Sequence, residues 1–122
     1  MGDVIQIHSK RIFSEEDAIA ILPIIKKITY KAYDKVEEIK EQIEFVPPEE
    51  PLHNRLKMQL GIAVKGWAIK MTSLGCDPKG LWSVDFNAGE GAFSWRLGED
   101  NINFFHSRVV RNAQTTQPEL LS

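Results

Sequence analysis

The spacing of apolar residues changes once along this chain, at Gly75, and that change sets the fold class. Upstream, Ala18, Ile25, Ala32 and Ile39 interleave with Leu22, Thr29, Val36 and Ile43 in steps of four and three, which places them on one stripe of an α-helix. Ile21 and Ile28 widen the stripe near its start. Leu52, Leu56, Leu60, Ala63, Trp67, Met71 and Leu74 repeat the same rhythm in a second segment. Beyond Cys76-Asp77-Pro78-Lys79-Gly80 the period becomes two. Trp82, Val84 and Phe86 alternate with Leu81, Ser83 and Asp85, and Phe93, Trp95 and Leu97 with Ala92, Ser94 and Arg96, as strands with one covered face do.

Punctuation agrees with the rhythm. Ser14 can accept from a free backbone N–H while Asp17 reaches back in a capping box, with Phe13 placed to pack on Ala18. Pro23 lacks a donor and crowds the carbonyl of Ile19, so a helix over 14–45 is expected to be kinked or split there. Pro47, Pro48 and Pro51 form a hairpin tip, and Gly75 suits a left-handed helix stop. Gly61 and Gly66 suggest close approach by another backbone, for which tight helix packing is the plain explanation. Asn87-Ala88-Gly89-Glu90-Gly91 should join two strands, and Ile102–His106 a third; Val4–Ile7 could add an edge strand. The expected fold is therefore α+β: a long antiparallel helical hairpin followed by a small three-stranded antiparallel β-meander packed on it. It forms a single domain, with an arm over 1–13, the hairpin over 14–75, the meander over 81–106 and a loose tail over 107–122.

A chain of 122 residues with 43% apolar content can bury one core. Its net charge of −2 supplies no global attraction to nucleic acid or anionic lipid. A single cysteine, Cys76, excludes a disulfide within the monomer and fits a reducing compartment. Residues 1–10 lack a signal-peptide pattern, and Gln6 replaces the Ser or Thr of a myristoylation signal. The most apolar window, Ala18–Ile28, falls short of the roughly 18 residues that cross a bilayer. A cytoplasmic protein is expected. The hairpin should outreach the short strands, leaving Ile39, Ile43, Leu52 and Leu56 at its tip in need of cover; a second copy completing a four-helix bundle is the simplest source. The expected partner is thus another copy, with an unidentified protein as the other possibility.

A longer pattern runs through the chain. Phe13-Ser-Glu-Glu-Asp-Ala18, Leu22-Pro23, Gly75, Gly80-Leu81, Val84-Asp85-Phe86, Ser94-Trp95-Arg96-Leu97-Gly98-Glu99 and Phe105-His106 together resemble the bacterial domain-of-unknown-function family 2203, over about residues 12 to 106. The resemblance implies a helical hairpin with a small sheet and carries no established activity. It draws attention to the recurrent polar positions Asp85, Arg96, Glu99 and His106.

Those four residues are the candidate polar site. Strand ends could gather them at one rim of the sheet, where a carboxylate beside an imidazole binds metal or moves protons. The competing reading is salt bridging and turn capping, since strand parity does not by itself make them converge. Other motifs have plainer readings. Glu37-Glu38-Ile39-Lys40-Glu41 has the form of a magnesium-holding helix, but the segment from Leu52 to Leu74 offers no second acidic pair; Arg55 and Lys57 are expected near those glutamates instead. Gly89-Glu-Gly91-Ala-Phe-Ser94 joins two strands, not the strand and helix of a dinucleotide fingerprint. Cys76 reads as a buried thiol, and His8 and His53 as surface residues without metal-ligand spacing. Trp82, Phe86, Phe93, Trp95, Phe104 and Phe105, near Arg96, Arg108 and Arg111, could stack single-stranded nucleic acid, but the sheet must bury an aromatic face on the helices, so no nucleic-acid role is expected. No catalytic residue, metal ligand or cofactor is assigned. The expected function is a homodimeric interaction or scaffold module without catalysis; the alternative is a small-molecule or metal-dependent enzyme working at the sheet rim.

Overall fold

In a computed structural model, which describes residues 11–105, Ser14 opens the first helix as its sequence suggests. Its hydroxyl accepts from the Asp17 backbone N–H at 3.0 Å, and the Asp17 carboxylate accepts from the Ser14 N–H. Helix α1, Glu15–Glu44, runs unbroken through Pro23. Pro23 and Ile19 both lie on the exposed side, where water can serve the carbonyl that proline leaves without a donor. Ala18, Leu22, Ile25, Thr29, Val36 and Ile39 are buried along the other side, as their spacing predicts.

Helix α2, Pro51–Ser73, starts with proline in its first turn and returns antiparallel to α1. His53 is half-buried, with Nδ1 donating to the Val46 carbonyl at 2.9 Å, so it pins the hairpin tip and is not a plain surface residue. At the far end Gly75 takes φ +93°, and the N–H groups of Gly75 and Cys76 donate to the carbonyls of Thr72 and Met71. These are the two bonds of a Schellman stop, which needs a residue free to adopt left-handed backbone. A side chain at Gly75 would also meet Arg11 at 2.8 Å.

The sheet has four strands in the order β1-β2-β3-β4, all antiparallel: β1 Asp77–Pro78, β2 Ser83–Asn87, β3 Ala92–Arg96 and β4 Asn103–Phe105. The meander expected from alternation is β2 to β4. Strand β1 is an addition: Asp77 and Pro78, read as turn residues, pair with Asp85 and Val84. Two residues are too short to show a period, and proline is tolerated because the strand lies at the sheet edge. The Val4–Ile7 edge strand, the tail and His106 lie outside the described residues.

Val84, Phe86, Phe93 and Trp95 turn inward and are closed to solvent with Trp82. Trp82 stands just before β2 with φ +68°, an uncommon backbone for a bulky residue. Its ring lies edge-on to Trp67 at 5.1 Å and to Tyr33 at 6.1 Å, joining the sheet to both helices. Phe13 reaches the same core and meets Phe86 at 5.3 Å. At the centre the Trp67 indole N–H donates to the Thr29 hydroxyl at 2.8 Å, with both side chains buried. Thr29→Val should cost about 1–3 kcal/mol, because the shape survives while a buried donor loses its partner. Urea unfolding checks this, and Trp67→Phe should cost less in the Thr29→Val background than in the native protein.

Candidate functional site

The outward face of the sheet carries the polar residues that the strand rhythm assigns to it. Cross-strand register sets Asp77 opposite Asp85, Asp85 opposite Ser94, and Ser94 opposite Asn103, making one polar row across all four strands. Asp85 is half-buried in that row. Burial pushes its carboxyl above the ordinary value of 3.8; Lys79 opposes the shift and Asp77 adds to it. Sequence reasoning missed Asp77 and Lys79 as neighbours of Asp85, because their approach depends on the two-residue strand β1.

Arg96 and Glu99 are brought together by a tight turn, but through backbone groups. The Glu99 carboxylate accepts from the Arg96 N–H at 2.9 Å and, more distantly, from the Asn103 amide at 3.5 Å. The Glu99 N–H returns to the Arg96 carbonyl at 2.9 Å, and the Glu99 carbonyl accepts from the Trp95 indole at 2.8 Å. Glu99 therefore closes the turn and anchors the largest buried ring of the sheet. Arg96 is exposed at the end of β3; its register partner is Ser83, and it lies one diagonal step from Asp85 on the same face. Among the described residues, three His, Cys, Asp or Glu side chains nowhere group closely enough to hold a metal ion. The polar row can exchange hydrogen bonds with a polar ligand, using a carboxyl that binds its proton more tightly than usual.

The remaining motifs resolve by placement. Cys76 is buried, and desolvation pushes its thiol up to about 12, so the nucleophilic thiolate is scarce near neutral pH. Trp82, Phe86, Phe93 and Trp95 face the core and offer no stacking platform. Phe104 and Phe105, at the edge strand, are exposed. Glu37 and Glu38 pair along their own helix, Lys40 with Glu37 at 3.1 Å and Lys35 with Glu38 at 4.0 Å, and neither pair involves Arg55 or Lys57. Gly89 takes φ +90° in the Asn87–Gly91 hairpin loop, where its N–H donates to the Asn87 side chain at 2.9 Å. No helix among the described residues is long and apolar enough to cross a membrane.

The profile of a family described as an uncharacterized conserved protein, domain of unknown function 2203, matches residues 11–110. The chain belongs to this family. Neither a curated protein nor a solved structure matches it. For this 2203-family chain the match spans the capped helix start, both helices and the whole sheet, so the polar row and the Glu99 turn both fall inside the shared region.

The upward shift of the Asp85 carboxyl on folding makes stability depend on pH. Below about 3.8 the carboxyl is protonated in the folded and unfolded chain alike. As pH rises past that value the unfolded chain releases its proton first, so this group lowers stability until the raised folded value is passed, and the penalty is full above it. Asp85→Asn is therefore expected to raise the melting temperature at pH 7, with the gain vanishing in strong acid, as followed by circular dichroism.

Proposed function

We propose that this 2203-family chain is a cytoplasmic, non-catalytic interaction module that works as a homodimer. One observation carries the reading: α2 is apolar on two faces. Leu56, Trp67 and Met71 are buried against α1 and the sheet, yet Met58 and Ile62 are each 66% exposed and Ile69 58% exposed along the opposite side. Ile24 of α1 is also open. Single exposed apolar residues are ordinary, but a run on one helix face favours a protein surface that excludes water.

This moves the reason for pairing away from the hairpin tip. Ile39 and Leu56 are buried within the chain and need no second copy, and a Cβ at Gly61 or Gly66 would meet nothing within 4 Å, so helix packing inside the chain does not require those glycines. What supports pairing is the outward side of α2. The inert Cys76 thiol agrees with a reducing compartment. Light scattering at micromolar concentration should give twice the mass of one chain; a single-chain mass would oppose the proposal.

A second reading places a small-molecule or metal-dependent enzyme at the sheet rim, and the raised carboxyl of Asp85 beside Asp77 and Lys79 is the observation in its favour. The turn-closing bonds of Glu99 weigh against it by giving that carboxylate a structural task. Elemental analysis and a thermal-shift screen separate the two. A stoichiometric metal, or a metabolite whose stabilisation disappears in Asp85→Asn, would favour the enzyme.

A further inference from the structure

The side of the hairpin turned away from the sheet holds a groove of about 910 Å³, with Ile28, Ala32, Ala63 and Trp67 among its lining residues. The sheet occupies the other side, where Tyr30 and Tyr33 meet Trp95 and Trp82. Four lysines, Lys27, Lys31, Lys35 and Lys70, stand around this groove together with Asp34 and Glu38. Resting on the homodimer reading above, we infer that a second copy seats antiparallel across this face, related by a two-fold axis that lies in the interface perpendicular to the helices and passes over α1 at the level between Ala32 and Tyr33 and over α2 at the level between Ala63 and Val64.

The heights come from the chain itself. The Thr29–Trp67 hydrogen bond brings those two residues together across the antiparallel helices. Counted from that contact, the point between Ala32 and Tyr33 lies as many residues past Thr29 as the point between Ala63 and Val64 lies before Trp67, which places one axis over both. About it the charges of the groove wall complement themselves. Along α1 they run Lys27, Lys31, Asp34, Lys35, Glu38; reversal sets Lys27 against Glu38 of the second copy and Lys31 against its Asp34, while Lys35, 4.0 Å from Glu38 of its own chain, meets the height of Tyr30. On α2 the same operation sets Ile62, which lines the groove, at the height of Lys65 of the second copy, and Met58 at the height of its Ile69. Gly61 and Gly66 flank that stripe at equal distances from the axis, and the open space above them lets another helix approach.

A two-fold interface must match itself, position by position. Most partners would need their own complementary order of charges; a copy of this chain already has it. The result is a four-helix layer pair with both sheets outside, which leaves the polar row of each copy open.

Sedimentation of the full chain over a concentration series tests the axis. K31E sets a carboxylate against the Asp34 of the second copy, D34K sets an ammonium against its Lys31, and each should raise the dimer Kd at least about tenfold. The double variant K31E/D34K should return near the native Kd, and K31E mixed with D34K should form the mixed dimer in preference to either homodimer. Ile62→Asp should weaken pairing whatever the charges do. All these side chains are exposed, and an unchanged helical dichroism signal confirms folding. A native chain that stays monomeric overturns the homodimer reading and this interface together. A native dimer indifferent to all of these changes overturns the interface alone, and single-variant losses rescued by neither the double variant nor mixing overturn the axis.

Discussion

The hydrogen bond from Trp67 to Thr29 is the contact on which the arrangement of layers depends. It is buried, it joins the two helices, and the indole that makes it also meets the ring of Trp82. A buried N–H is costly without a partner, so Trp67 can take this pose only when Thr29 stands opposite. That condition fixes how far α2 slides along α1. Trp82 then fits between Trp67 and Tyr33 and carries the start of β2 with it. The left-handed backbone of Trp82 is a local cost, held in place by burial of its ring and by the bond from the Leu97 N–H to its carbonyl.

From this junction the molecule acquires two different outer surfaces. The sheet presents a polar row whose members are tied into turns and pairs. The hairpin presents an apolar strip edged with charge. The first surface suits exchange of hydrogen bonds with small polar groups, whereas the second suits exclusion of water by a large partner. Glu99 shows how little a polar residue at a strand end needs chemistry to explain it: its carboxylate and both its backbone groups are spent on holding a turn. Asp85 differs, because burial raises the energy of its charged form, with Lys79 opposing that shift and Asp77 adding to it.

Local signals in the sequence carried much of this. The Ser14 cap, the Gly75 stop and the inward set Val84, Phe86, Phe93 and Trp95 follow from rules that act within one or two turns of chain. Where reading failed, the deciding contact was distant or the element too short. The helix is not split at Pro23, which faces solvent, and Asp77-Pro78 became a strand because Asp85 and Val84 happened to lie alongside. Thr29 could be placed on the buried stripe by its number, but nothing near it announced that its hydroxyl would serve Trp67 across the hairpin. The candidate site was half legible for the same reason: Asp85 and Arg96 share a face by parity, while Lys79 and Asp77 reach Asp85 only through strand pairing.

The sequence by itself determined two helices, a tip, a stop, two alternating strands and a third beyond the next turn, since periodicity, capping and turn residues are local properties of the chain. Tertiary structure alone decided which of the two apolar faces of α2 would be covered. Both were available; the face bearing Trp67 went inward because it could satisfy its N–H on Thr29 and meet the Trp82 ring edge-on, and the face bearing Met58, Ile62 and Ile69 remained outside.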